Sequence, residues 1–287
     1  MAKMTVVVTG AAGHVAGRML EAMRERYDLR LLDKKMRNRN GDEVEGIEQV
    51  DLLNRNRDSY RKYFSGAEAV VHCGFTRAYK PDETYWAEQD NVSMAHNVYQ
   101  TCVEEGVRRA VVISSNHAAD YYENLIWTDR LTCVTPDMLP LSDNFYGWSK
   151  ASYELLGFVY ATGNVSNGKK LEVVQLRIGG PRETDIDQAS ADDLKSMHRG
   201  LGAYLSERDQ TQLVIKSVET SNIDDENGVP FQIFYGISGN SDKFWCLANA
   251  RKIIAYDPED NSAVKFADKI ASITSEAQIR HYGDSIL

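Results

Sequence analysis

Tyr146 and Lys150 stand four residues apart in the run Tyr-Gly-Trp-Ser-Lys. On a helix that spacing puts both side chains on one face, about one turn apart. An ammonium beside a phenol favours the phenolate and pulls down a pKa that is ordinarily about 10. Such a group can take the proton of an alcohol while hydride leaves the same carbon for a nicotinamide. The lysine can also donate to the nicotinamide ribose. A further hydroxyl is needed to hold the substrate oxygen, and Ser114 and Ser115, ending the apolar run from Arg109, are the two candidates.

The chemistry needs a dinucleotide, and Thr5 to Leu20 is built to hold one. Three valines lead into Gly10, Ala11, Ala12 and Gly13, and a helical pattern continues from His14 and Val15. Small residues let the backbone approach a pyrophosphate, and a helix N-terminus offers it free N–H groups. Asp33 ends the next apolar run, about 20 residues on, where a carboxylate accepts the adenosine ribose hydroxyls. Lys34 and Lys35 follow it, yet Asp33 repels a 2′-phosphate, so NAD is favoured over NADP.

Apolar runs alternate with helical patterns through the first two-thirds of the chain. Strands are expected at Thr5–Thr9, Leu29–Leu32, Gly46–Val50, Ala69–His72, Arg109–Ser114, Leu171–Ile178 and, later, Gln232–Ile237. Helices are expected at Val15–Arg26, Arg55–Phe64, Thr84–Glu105 and Ser149–Thr162. This order predicts an α/β fold, a doubly wound parallel sheet (Rossmann fold) with a small C-terminal substrate-covering portion. The division drawn is 1–177 for the dinucleotide-binding domain and 178–287 for the substrate portion, whose late strand returns to the sheet. In the latter, Asp185 to Leu205 reads as helical, Ser217 to Gly228 as a mobile polar loop, and the tail from Ser272 as loosely ordered.

Ligands of such sheets sit beyond the carboxyl ends of the strands. The residues there add Asp51, Leu52, Cys73, Gly74, Ser114 and Ile178 as cofactor contacts, with Asn91 on the long helix. Phe75, Ser115, Asn116, His117, Tyr146, Gly180 and Arg182 are the expected substrate contacts. A net charge of −9 argues against nucleic acid or an anionic membrane as the main partner. Four separated cysteines without a CxxC pair predict no metal site and read as buried thiols of a reducing compartment. With no leader pattern and no long apolar run, the expected location is the cytoplasm.

Together TGAAGHVAG, Asp33, Asp51-Leu52, Ser114-Ser115 and Tyr146-x-x-x-Lys150 resemble the extended short-chain dehydrogenase/reductases, the NAD-dependent epimerase/dehydratase superfamily. Ala16 replaces the third fingerprint glycine. The runs Val112–Ala118, Tyr146–Lys150, Leu176–Gly179, Tyr235–Ser238 and Ala255–Ser262 resemble uronate dehydrogenases and archaeal NAD-dependent glucose-6-phosphate dehydrogenases. That resemblance implies oxidation of the C1 hemiacetal of a sugar to a lactone, with Ser115 and Asn116 holding the sugar, Tyr146 as base and Lys150 serving the ribose. The arginine that reads a uronate carboxylate is absent from Asp185–Ser190, where Arg182, His198 and Arg199 lie nearby. A phosphorylated or neutral aldose therefore stays open. The alternative is a nucleotide-sugar epimerase or dehydratase with tightly bound NAD. It lacks support from Arg177-Ile-Gly-Gly-Pro181, which has no Asn before its Gly-Pro, and from Asn116, where a dehydratase would want an acid. The resemblance also implies a homodimer through the two long helices, with Val92, Val98, Leu155 and Phe158 serving that interface or the sheet face.

Overall fold

The apolar runs assemble into one seven-stranded parallel sheet in the order β3-β2-β1-β4-β5-β6-β7. The strands are β1 (Thr5–Thr9), β2 (Asp28–Asp33), β3 (Ile47–Gln49), β4 (Ala69–His72), β5 (Arg109–Ser115), β6 (Glu172–Ile178) and β7 (Phe231–Gly236). The computed structural model describes residues 3–283. This is the doubly wound Rossmann-type sheet expected from the sequence. Strand order reverses between β1 and β4, where Thr9 lies in register with Leu32 on one side and His72 on the other. The crevice beyond those ends is the place for a dinucleotide.

Both faces are covered, so the strands show no polar alternation. Val7, Val70 and Val112 pack on one face with Val98 and Tyr99 of α3 (Thr84–Glu105) and Tyr153 and Tyr160 of α4 (Phe145–Thr162). On the other face Val6, Val8, Val71 and Val111 meet Met19 and Met23, and Leu213, Val214 and Val218 from a helix late in the chain. Truncating Met23, which is fully buried, to alanine would cost about 2–5 kcal/mol in lost contacts and cavity. The core thus draws on residues from both sides of position 177.

Several local expectations are corrected. The first helix is interrupted, running as α1 (His14–Gly17) and then α2 (Leu20–Arg26). Arg55–Phe64 forms two 3-10 turns, Arg57–Ser59 and Arg61–Tyr63, the first started by the Asn56 side chain accepting the Asp58 N–H. The stretch Asp185–Leu205 divides into a 3-10 turn at Asp185–Gln188 and a helix, α5, at Leu194–Ala203. The stretch read as loop from Ser217 begins inside a helix, α6 (Glu207–Glu219), which Ser206 caps by accepting the Asp209 N–H at 3.1 Å. The tail read as loose from Ser272 lies, as far as Gly283, in a helix, Ala267–Gly283, whose Ile273 packs with Ile186, Met197 and Leu201; the rest of that tail lies outside the described residues. Of the four cysteines only Cys102 is fully buried, and the Cys133 and Cys246 thiols lie within hydrogen-bonding contact. Of the four apolar interface candidates, Val98 belongs to the core, whereas Leu155 and Phe158 are 60% and 42% exposed. Among the described residues no helix is long and apolar enough to cross a membrane.

Candidate active site

The crevice starts at Gly10, which has φ +66° and a backbone so close to β4 that a Cβ would sit 2.6 Å from the Cys73 carbonyl carbon and the Gly74 nitrogen. A side chain there would drive the turn away from the end of β4, so this close approach of two backbones needs glycine. Gly13 closes the turn by donating to the Gly10 carbonyl at 2.9 Å, and the first amides of the helix at His14 and Val15 have no intrahelical acceptor. Asp33 accepts the Ala12 N–H at 2.9 Å and the Lys35 N–H at 2.8 Å, so its carboxylate is fixed beside the turn at the end of β2. Lys34 is drawn away to Asp51 at 2.9 Å. Burial raises the Asp51 carboxyl, but Lys34 and the Leu53 N–H outweigh it and leave Asp51 below its ordinary range. Of the two cations that could welcome a 2′-phosphate, Lys34 is therefore already paired, while the Lys35 side chain stays exposed. These residues fit an adenine dinucleotide without the phosphate.

The expected contacts at the other strand ends divide in two. Cys73 and Gly74 follow β4 beside Gly10, Ile178 ends β6, and the Leu52 side chain is buried, with its carbonyl accepting from Asn97 at 2.7 Å. Burial pushes the Cys73 thiol up to about 12, so it is no nucleophile. Asn91 is fully engaged elsewhere: its Oδ1 accepts the Thr76 N–H at 2.7 Å, and its Nδ2 donates to the Thr76 carbonyl and Glu88 at 2.9 and 3.0 Å. It shapes the loop after β4, which carries Phe75, in place of the direct cofactor contact expected. His14 Nε2 is 2.7 Å from the Pro181 carbonyl, joining the first turn to the segment that holds Gly180 and Arg182. Gly180 is itself fixed by donating to the Ala203 carbonyl at 2.7 Å.

The two adjacent serines point oppositely, as strand geometry requires. Ser114 donates to Glu154 at 2.5 Å and so belongs to a fully buried network with Arg177, which grips Glu154 at 2.8 and 3.0 Å and reaches Tyr235 at 3.2 Å. That arrangement commits the Ser114 side chain to Glu154, so only its backbone is left to face a cofactor. Ser115 faces the site: its Oγ accepts the His117 N–H at 3.2 Å, and its hydroxyl acts on the Tyr146 phenol in the direction that favours phenolate. Its other partner, Asn116 Oδ1, lies at 3.3 Å, and the buried Asn116 Nδ2 has no acceptor in the protein. His117 Nδ1 is 2.6 Å from Asp120, and its ring meets Tyr146 edge-on at 5.5 Å.

Helix α4 starts four residues earlier than its expected start at Ser149, because Asn144 accepts the Gly147 N–H at 2.9 Å and caps it. Tyr146 therefore lies in the first turn and Lys150 in the next. Gly147 permits this placement, since a Cβ there would be 2.0 Å from the His117 carbonyl oxygen. Lys150 Nζ sits 5.2 Å from the Tyr146 ring centre, 5.0 Å from that of Phe75 and 4.9 Å from that of Tyr153. Burial lowers its pKa to about 8, against the opposing charges of Glu88 and Glu154. The Tyr146 phenol is not lowered as the Tyr-Lys spacing suggested. Burial raises it, and only the Ser115 hydroxyl and more distant Arg182 work the other way.

Glu88, on α3, escapes the sequence reading. It is 4% exposed, accepts from Ser149 at 2.5 Å, and its charge acts on both Lys150 and Tyr146. A carboxylate four residues into a long helix gives no signal of burial. Asp120 also escaped it, and only its position three residues beyond His117 on a helical turn hints at the pairing.

A model of the NAD dependent epimerase/dehydratase family matches residues 6–171. The chain is 31% identical over 274 residues to an NAD-dependent glucose-6-phosphate dehydrogenase of Haloferax volcanii, covering 90% of this chain and 94% of the relative. It is 30% identical over 267 residues to an L-arabinose 1-dehydrogenase (NAD(P)(+)) of the same organism, covering 90% and 97%. Among solved structures, the uronate dehydrogenase from Agrobacterium tumefaciens superposes with a TM-score of 0.71 at 25% identity, covering 95% of this chain and 90% of that one. Neither the turn at Gly10 nor the Tyr-Lys helix is an isolated likeness, and the chain belongs to the NAD-dependent epimerase/dehydratase family as an NAD-dependent oxidoreductase.

Proposed function

We propose that this enzyme oxidises the C1 hemiacetal of an aldose or aldose derivative to a lactone. The observation that carries the reading is the Tyr146 phenol under the influence of the Ser115 hydroxyl and with Lys150 Nζ 5.2 Å from its ring centre, next to the unmatched Asn116 amide donor. A buried donor without an acceptor is costly, and a sugar oxygen would satisfy it. The dehydrogenase names of the two Haloferax relatives, both acting at a sugar, support the same substrate class.

NAD supplies the hydride acceptor. Ser115 orients the C1 oxygen and Tyr146 takes its proton as the C1 hydrogen departs as hydride, leaving the lactone carbonyl. Burial holds the phenol's own proton at rest, so that proton must first leave to solvent; the Ser115 hydroxyl favours the phenolate that then accepts the C1 hydroxyl proton and returns to phenol. Lys150 also serves the nicotinamide ribose. Four free cysteines support a reducing, cytoplasmic setting, and the exposed Leu155 and Phe158 on α4 support a homodimer.

The test is absorbance at 340 nm with NAD and separate free aldoses, uronates and sugar phosphates. Steady reduction, reduced at least a hundredfold in Tyr146→Phe, is expected. Silence with every free sugar, together with conversion of a UDP-sugar without net NADH, would replace this reading with an epimerase.

A further inference from the structure

Beyond His117 the site opens into two adjoining clefts of about 340 and 250 Å³ that share Ser196 and Arg199. Their lining sets three cations, Arg182, Lys195 and Arg199, against five carboxylates. The cations are also committed. Arg199 is held by both oxygens of Glu123, each at 2.8 Å, and lies 3.7 Å from Asp120. Lys195 lies over the Trp127 ring at 5.4 Å. Arg182 faces Asp185 at 3.6 Å and is 60% exposed, so solvent screens it. A phosphate or carboxylate on the sugar would meet surplus negative charge, and taking Arg199 would strand Glu123.

Asp120 adds to that negative surplus. Its Oδ2 is held by His117 Nδ1 at 2.6 Å and by the Asn144 amide at 2.9 Å. Its Oδ1 is buried and faces the Arg199 guanidinium at 3.7 Å. A rigid carboxylate turned on the guanidinium that both clefts share helps Glu123 neutralise it and opposes an anion. The unmatched Asn116 donor, four residues earlier on the same segment, suits an uncharged sugar oxygen.

We propose that the substrate is a neutral aldose and that Asp120 is a specificity-determining residue that selects it over anionic sugars. This deepens the dehydrogenase reading and rests on it. The experiment measures kcat/KM with NAD for matched pairs, glucose against glucose 6-phosphate and galactose against galacturonate, adding arabinose and xylose. The best neutral aldose should exceed every anionic sugar by at least about tenfold. Asp120→Asn, checked for an unchanged melting temperature, removes a negative charge from Arg199 and should narrow the neutral-to-anionic ratio by about tenfold, by improving anionic sugars. A merely structural role would lower both alike, and that result would overturn the assignment of Asp120. Should Asp120→Asn fail to fold, Glu123→Gln, which frees Arg199, should narrow the same ratio by improving anionic sugars. A preference for an anionic sugar, lost in Arg182→Gln, would overturn the substrate class alone. NADH from no free sugar would overturn it together with the dehydrogenase reading.

Discussion

Lys150 carries its charge in the protein interior, and replacing it by methionine should make the protein more stable while destroying its activity. The side chain is 5% exposed and its pKa falls from 10.5 to about 8. At roughly 1.4 kcal/mol per pH unit, that drop is about 3 kcal/mol against the charged form. Three aromatic rings at 4.9 to 5.2 Å work in the other direction, recovering about 1–2 kcal/mol in all. Methionine keeps the apolar stem and removes the ammonium, for a net gain of about 1–2 kcal/mol, or roughly 2–6 °C in Tm. The pH dependence is the stronger check. Because the folded pKa lies below the unfolded one, the unfolded chain binds the extra proton between about 8 and 10.5. Wild-type stability therefore rises with pH through that window. The advantage of Lys150→Met is full below pH 8 and fades toward 10.5. Calorimetry of both proteins at pH 6.5 and pH 10 measures it. A variant that melts below wild type at pH 6.5, or a gap that does not change with pH, would refute the reasoning.

The serines should separate cleanly: Ser115→Ala lowers kcat/KM by about a hundredfold or more, whereas Ser114→Ala changes it less than about fivefold, both read at 340 nm. Glu154→Gln strands the fully buried Arg177 and should cost about 3–5 kcal/mol in urea unfolding. Equal stability would show the pair to be dispensable. Gly10→Ala forces a Cβ into the Cys73 carbonyl at positive φ, so a loss of more than about 2 kcal/mol and of NAD binding by calorimetry is expected. Asp33→Ser should shift the NAD-to-NADP ratio of kcat/KM toward NADP by about tenfold or more. An unchanged ratio would remove Asp33 from cofactor choice.

The chemical positions were legible because their signals are local. A strand, a glycine turn and an acidic strand end follow each other in sequence, and so do Tyr146 and Lys150. What escaped depends on long-range placement. Which of Ser114 and Ser115 faces the crevice follows from a two-residue period, but only the register with β6 and the buried Glu154–Arg177 pair decide it. The helix Glu207–Glu219 was hidden by its polar outer face, although Ser206-x-x-Asp209 and the spacing of Leu213, Val214 and Val218 announce it. The expected lowering of Tyr146 counted charges and left out solvation, which depends on what three other elements pile around the phenol. Glu88 matters for its contact with Ser149, 61 residues away, and Asp120 is hinted at only by His117 three residues before it.

The Val15 carbonyl, in the first turn of the cofactor helix, accepts a hydrogen bond from Gln210 at 2.7 Å, a partner 195 residues away. Arg18 is held from the same region, by Gln210 at 3.1 Å and the Leu205 carbonyl at 3.0 Å. On the ribosome, at about 5–20 residues per second, the pyrophosphate turn emerges roughly 10–40 s before the helix that braces it. During that interval Met19 and Met23 lack the Leu213, Val214 and Val218 side that completes their core. The nascent chain thus displays its most apolar half-sheet early and seals it late, so chaperone occupancy should fall only once Gln210 has cleared the exit tunnel.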